Sequence, residues 1–530
     1  MDVFTLPYHQ IPFLSRTDLD YLESKPELLK FGAWTPELSA FEQIITARQN
    51  ASFLDRNILV QVLLDQYLSF HTSSKVTENI LKLADQRTFT VCTAHQPTLF
   101  TGPLYVIYKI ASCINLANQL NRVYPAYQFV PVYVMGGEDH DFEEINHVNI
   151  WGQKITWDHQ GKGNATARLS TEGIKDVWDR IMSLLDHKLP TYKAGPLFTA
   201  SYGISKTHGE GNLRFIDNLF QNYGLVTISM DHPRLKSEFQ HIIADDLINQ
   251  TSAGLVRQTQ EQLVAQGYSP QAHVRDINLF LFLNGKRQRI EKTNTGVEVG
   301  GVSFTTEEML RQLSLNPEDF SPNVVLRPLL QEYILPNLAY IGGGGEIAYW
   351  LERLNQFQHY QIPYPALIRR NSVGILDRAH HQPLLKSGLT YSEICTPDIE
   401  TFITQRVAAE MDFDLVRKID EINKIFESLA DQVVRIDPTL SPLVQAEKIK
   451  TISGLQQIEK KAIKAEKSKQ DVQNNRIRKV YAKLFPNHNL QERVENFLPY
   501  YLEFGQDLID QLINTLDPFR REFLFFVDKD

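Results

Sequence analysis

The chain has 530 residues, 42% of them hydrophobic and 22% charged, enough to bury a large core in two or three structural units. A net charge of −9 and a pI near 6.0 argue against bulk attachment to nucleic acid or to an anionic membrane. Three scattered cysteines (Cys92, Cys113 and Cys395), no basic-then-apolar leader and no apolar run of about 18 residues predict a cytoplasmic protein with free thiols, no disulfide framework and no membrane span.

Residues 1 to about 85 read mainly as helices, with apolar residues at helical spacing in "NILVQVLLDQYLSF" and "VTENILKLADQ". From residue 88 the pattern changes. "TFTVCTA" predicts a buried strand, "PLYVIYKIASCINLANQL" an amphipathic helix, and "FVPVYVMGGEDHD" a second strand running into a polar turn. Strand, helix and strand within about 50 residues form a βαβ crossover and predict a parallel sheet. "GLVTISMDHPRLK" and "ALIRRNSVGIL" each predict a further strand, and "LFLFLNGKRQRIEKTNTGVEVGGVSF" a hairpin region.

The C-terminal part differs. Leu415, Ile419, Ile422, Phe426, Leu429 and Val433 recur at intervals of four and three residues, an apolar heptad seam. Pro438 and Pro442 interrupt it before a second helical stretch that reaches Phe485, so an antiparallel coiled-coil hairpin is expected, with "LIDQLINTLDPF" as a last helix. Residues 447–483 carry eleven basic side chains against four acidic ones, the composition of a solvated helical face. The expected division is 1–395 for an α/β core with its helical N-terminal segment and insertions, and 396–530 for the hairpin and final helix, which would mediate dimerisation.

Three polar turns could carry chemistry. In "TAHQPTLFTGP" the turn after the first strand holds His95, Gln96, Thr98 and Thr101. Pro103 suits a first helical position with Thr101 or Gly102 as cap, and the N–H groups of such a helix start bind anions. The dinucleotide glycine fingerprint is absent, which argues against a dehydrogenase. "GGEDHDFEEINH" places Glu138, Asp139, His140 and Asp141 at a strand's carboxyl end, where open α/β sheets bind ligands; a metal site using His147 as well has no recognised ligand spacing. In "LRPLLQEYILPNLAYIGGGGEIAYW", Arg327 suits a carboxylate or phosphate, Tyr333 and Glu346 join it as binding candidates, and Gly343, Gly344 and Gly345 form either an anion cradle or a hinge. Arg369 and Arg370 follow the next strand. Together the turns suggest one cleft that binds an acidic substrate.

These stretches resemble, in order from about residue 90 to the C-terminus, the bacillithiol biosynthesis cysteine-adding enzyme family, BshC. The resemblance implies a Rossmann-like parallel-sheet core related to class I aminoacyl-tRNA synthetases, helical connecting insertions and a C-terminal coiled coil that dimerises. It implies a ligase for the last step of synthesis of a low-molecular-weight thiol, bacillithiol. That step joins L-cysteine by an amide to the amino group of glucosaminyl malate, with ATP or another nucleotide and Mg²⁺ to activate the carboxylate and no firmly implied metal. "AHQPTLFTGP" would fill the place of the synthetases' HIGH signature, although Thr98 stands where its second histidine would be and no KMSKS-like loop follows. On this reading His95, Asp139 and His140 are catalytic, with Asp139 or His140 as base. Gln96, Thr98, Thr101, Gly102, Glu138, Asp141, Arg327, Tyr333, Gly343, Gly344, Gly345, Glu346 and Arg369 bind substrate. The alternatives are a metal-dependent hydrolase built on "EDHDFEEINH" and a non-catalytic coiled-coil scaffold.

Overall fold

A computed structural model of the chain describes residues 1–51, 54–161, 163–411 and 414–528. Its centre is a five-stranded parallel sheet of β1 (Thr88–His95), β2 (Gln128–Met135), β3 (Val226–Ser229), β4 (Asn337–Gly342) and β5 (Ala366–Arg369), in the order β5-β4-β1-β2-β3. The first seven residues of β1 are all buried, as expected of a strand covered on both faces. Alternation along β1 sends Cys92 and Ala94 into one core, and Phe89 and Val91 into a second core with Cys113 and Leu116 of α1 (Tyr105–Val123). The chain leaves β1 for β2 on one side and returns to β4 on the other, so the crevice between the carboxyl ends of β1 and β4 is the topological switch point.

The expected hairpin region forms an antiparallel sheet from Leu279–Leu283, Lys286–Lys292, Val297–Val299, Val302–Phe304 and Phe320–Pro322. Asn284 and Gly285, at φ 53° and 75°, make the two-residue turn whose twist suits a hairpin. That turn brings Arg287 in over β2.

"ALIRRNSVGIL" is two strands. Ala366–Arg369 closes the parallel sheet, and Val373–Leu376 joins a separate three-stranded sheet. They part because Arg370 and Ser372 both turn to Glu492 in the C-terminal part of the chain. The centre of that small sheet is Glu522–Val527, paired antiparallel with Asp2–Pro7 and parallel with Val373–Leu376. Residues 1 to about 85 are mainly helical, as expected, apart from strand Asp2–Pro7, and the expected last helix (Gln506–Thr515) is followed by strand Glu522–Val527. Strand Asp2–Pro7 is short and lies at a sheet edge, half exposed, so it shows no strong hydrophobic period.

The heptad seam lies on α4 (Leu415–Ile436), which folds back through Pro438–Leu440 onto α5 (Ser441–Lys469). Lys448 Nζ sits 3.9 Å from Glu427 Oε1, as an antiparallel hairpin about that turn requires. Ile419, Ile422, Phe426 and Val433 are half-buried against the partner helix, while Leu429 remains 43% exposed. The second arm breaks at Gln470 and continues as Asp471–Leu484. No helix among the described residues is long and apolar enough to cross a membrane.

Candidate active site

A cavity of about 630 Å³ opens over the carboxyl ends of the parallel strands, at the switch point. Ten of the residues expected there line it: His95, Gln96, Thr98, Glu138, Asp139, Arg327, Gly343, Gly344, Gly345 and Glu346. The other six do not. His140 lies just behind Asp139, and Asp141 is exposed. Tyr333 packs its ring on Phe239 and His241 away from the cavity, and Arg369 forms a buried ion pair with Asp18. Thr101 and Gly102 are buried beneath the turn. Phe100, Thr101 and Gly102 all have positive φ, so the chain turns sharply and α1 starts only at Tyr105, with Leu104 rather than Thr101 or Gly102 at its cap.

His95 ends β1 with both ring nitrogens occupied. Nδ1 lies 3.0 Å from the Gln96 carbonyl and Nε2 lies 2.8 Å from the Tyr105 hydroxyl. A carbonyl only accepts, so Nδ1 carries the proton and Nε2 accepts from Tyr105. Burial, reinforced by the nearby Lys109 ammonium, pushes the ring down to about 4, and it is neutral at neutral pH.

The acidic turn after β2 is organised by cations that come from elsewhere in the chain. Lys236, fully buried, donates to Glu138, to Asp231 at 3.0 Å and to the Glu318 carbonyl at 2.9 Å. Arg168 grips both oxygens of Asp231, at 2.9 and 2.8 Å. Burial and the neighbouring Asp231 push Glu138 up, whereas Asp231, held by two cations, stays low despite its own burial. Arg287 donates to Ser321 Oγ at 2.9 Å and to His140 Nδ1 at 3.1 Å, and lies 3.5 Å from Asp139 Oδ1. A guanidinium only donates, so His140 keeps its proton on Nε2 and its Nδ1 lone pair is occupied.

Asp139 and Glu144 form the unequal pair of the site. Burial pushes Asp139 up, but Arg287, the Gln96 amide donating at 2.9 Å, and Arg327 outweigh it and hold the carboxyl below the usual range. Burial and the charges of Asp141 and Asp139 push Glu144 up, with the Gln96 amide working the other way. Glu144 lines the cavity and sits on the short helix Phe142–Ile145.

Arg327 opens α2 (Arg327–Ile334) and reaches the cavity across Gly136. A Cβ on Gly136 would lie 2.6 Å from Arg327 Nη1, so only glycine leaves the guanidinium its place. Opposite stands α3 (Gly344–Leu351), at whose start Glu346 reaches back and accepts from the Gly343 N–H at 2.9 Å. Glu346 also accepts from Lys109 Nζ at 2.8 Å and from the Tyr340 hydroxyl at 2.7 Å; burial opposes its charge, and Lys109 and these hydrogen bonds bring it down to about 2. Lys109 donates as well to the Ala94 carbonyl and thereby ties α1, the end of β1 and α3 together.

Several of these residues gave no signal in the sequence. Asp231, Lys236, Arg168, Arg287 and Arg493 come from four separate stretches, none of them among the three polar turns expected to carry chemistry. Among the described residues no group of three or more His, Cys, Asp or Glu side chains is placed to hold a metal ion. The self-repulsion of the acidic turn is offset instead by Lys236, Arg168 and Arg287.

The chain matches two family models end to end. Residues 1–371 match the bacillithiol biosynthesis BshC N-terminal Rossmann-like domain, and residues 373–526 match the BshC C-terminal coiled-coil domain. A relative from Flavobacterium psychrophilum named "Putative cysteine ligase BshC" is 38% identical over 98% of both chains. Relatives of the same name from Cytophaga hutchinsonii and Bacillus cereus are 35% and 28% identical, over 95% of both chains and over 94% of this chain and 95% of the other, respectively.

Proposed function

The chain belongs to the bacillithiol biosynthesis BshC family, a family of ligases, and on that premise we propose that it joins L-cysteine to the amino group of glucosaminyl malate. The observation that carries this reading is the Asp139 and Glu144 pair, with Asp139 held by the Gln96 amide and both facing Arg327 in one cavity. An amide is made when an amine, deprotonated, attacks an activated carbonyl. Two carboxylates whose affinities for a proton are pushed apart divide that work between them. Asp139, held ionised, binds the substrate's ammonium. Glu144, raised, takes the proton as nitrogen attacks. This moves the base from Asp139 or His140, the sequence expectation, because Asp139 is held by Arg287 and His140 lies outside the cavity.

Arg327 has no carboxylate within ion-pair distance among the described residues and takes one carboxylate of the malyl group. A nucleotide supplies the activation of the cysteine carboxylate, and the N–H groups of Gly344 and Gly345 are the donors that fit its phosphates. The exposed apolar side chains of the hairpin, Ile425 at 63% and Ile449 at 68% among them, are read as the contact of a cytoplasmic homodimer.

The test is mass spectrometry of purified protein with glucosaminyl malate, L-cysteine, ATP and Mg²⁺, omitting one component at a time. A bacillithiol mass that requires all of them, with AMP or ADP formed, is the expected result. Absence of product from folded protein under all conditions would overturn the reading.

A further inference from the structure

Around the N-terminus of α3 most charges are paired, and among the described residues the cavity-lining arginines without an ion pair are Arg327 and Arg493. Arg369 holds both oxygens of Asp18 at 3.0 Å, Arg370 Nη2 donates to Glu492 Oε1 at 2.7 Å, and Lys109 meets Glu346 at 2.8 Å. Arg493, the neighbour of Glu492, also lines the cavity, yet it makes no ion pair among the described residues. Beside Gly343, then, Arg369, Arg370 and Lys109 each have a carboxylate and Arg493 has none. Arg493 is exposed at the rim, and what burial it has, together with the like charge of Arg370, works against its own charge.

The second observation is a buried donor with nothing to donate to. Arg370 is 2% exposed, and its Nε has no hydrogen-bond partner, although its other nitrogens bond Glu492, Ser372 and the Asn371 carbonyl. An unpaired buried N–H is costly, more so on a charged group. Tyr105 stacks beside the guanidinium at 5.3 Å but offers Nε no acceptor. Nε lies 3.6 Å from where a Cβ of Gly343 would stand, at the N-terminus of α3. The first-turn N–H groups of that eight-residue helix have no partners within the helix. Two carboxylates border the place, and both are neutralised: Asp18 by Arg369 and Glu346 by Lys109.

We propose that Arg493 and Arg370 Nε, with the Gly344 and Gly345 N–H groups, form an anion subsite that the C-terminal domain completes. Its ligand is an oxyanion, carboxylate or phosphate, which pairs with Arg493 and accepts from the orphaned Nε. The C-terminal domain is then part of the reaction site: it supplies Arg493 directly and holds Arg370 in place through Glu492. The inference rests on the ligase reading only for the source of the anion, a malyl carboxylate or a nucleotide phosphate.

Isothermal titration calorimetry of the full chain, without cysteine, tests it with two probes in separate arms, L-malate and inorganic pyrophosphate. Wild type is expected to bind at least one of them. Arg493→Ala should weaken that probe about tenfold or more, and Arg493→Lys, which restores charge without the fork, should recover part of the loss. Response to malate alone assigns the subsite to the malyl group; response to pyrophosphate alone assigns it to the nucleotide. The inference fails if neither probe binds wild type at about 10 mM, or if folded Arg493→Ala binds both as wild type does. Because the readout is binding, the subsite can stand where product formation fails, and product can form where the subsite is refuted.

Discussion

Arg370 at the end of β5 and Glu492 in the C-terminal part of the chain meet at 2.7 Å, both buried, across the boundary between the two family domains. Glu492 also accepts from Ser372 Oγ at 3.0 Å and from the Val373 N–H at 3.1 Å, so one carboxylate holds the point where the chain passes from the parallel sheet to the small one. Removing its charge leaves Arg370 buried and uncompensated. Glu492→Gln should therefore cost about 3–5 kcal/mol in urea unfolding. A loss under about 1 kcal/mol would show that the pair does not hold the two domains together.

Gly136→Ala should spare the fold and damage binding. The added methyl would meet the far end of the Arg327 side chain, which can swing away, but only by leaving its place in the cavity. Unfolding should stay within about 1 kcal/mol of wild type while KM for the malyl substrate rises about tenfold or more. An unchanged KM would place the malyl carboxylate elsewhere.

Glu144→Gln should lower kcat by a factor of about 10²–10⁴, the range of general-base catalysis, with little change in KM. Asp139→Asn should act mainly on KM for the amine substrate. The raised affinity of Glu144 for its proton should move the acid limb of the wild-type pH–rate profile upward from that of an ordinary glutamate, and the Gln variant should lose that limb. A limb that persists in Glu144→Gln but vanishes in Asp139→Asn would reverse the two roles.

His95 contributes to stability in a defined pH window. Its ring is at about 4 in the fold against roughly 6.5 in an unfolded chain, so folding favours the neutral form. That contribution is complete above pH ~6.5 and is lost as pH falls towards 4. His95→Gln, which keeps a polar group beside Tyr105, should flatten the stability curve between those values. A His95 ring resonance that titrates near 6.5 by NMR would contradict the half-buried, doubly hydrogen-bonded arrangement.

Light scattering should give about twice the chain mass of 61.0 kDa, and Ile425→Asp with Ile449→Asp should return it to that mass with helicity unchanged. A wild-type mass near 61.0 kDa at all concentrations would remove the dimer.

The parallel-sheet core was legible because its strands carry a local signal. "TFTVCTA" and "FVPVYVM" are apolar on both faces, and the helix between them has the matching period, so β1, α1 and β2 follow from sequence alone. Nine of the ten expected cavity residues were legible for the same reason: each sits at or just after the carboxyl end of a parallel strand, where such ends converge, whereas Arg327 comes from a helix that follows the antiparallel sheet. Thr101 and Gly102 show the limit of this logic. They stand in the right turn, but its left-handed backbone turns them beneath the surface.

What only the tertiary structure decided is which charges meet. Lys236 reaches Glu138 from 98 residues away, Arg287 reaches His140 from 147 and Arg370 reaches Glu492 from 122. Hydrophobic period is a property of neighbours along the chain, whereas an ion pair depends on where two distant segments are brought together, and no local pattern records that. The sequence by itself determined the sheet, the coiled-coil hairpin and the strand ends that open on the cavity. Packing determined that Asp139 stays ionised, that Glu144 is raised, and that an arginine of the C-terminal domain lines the same cavity.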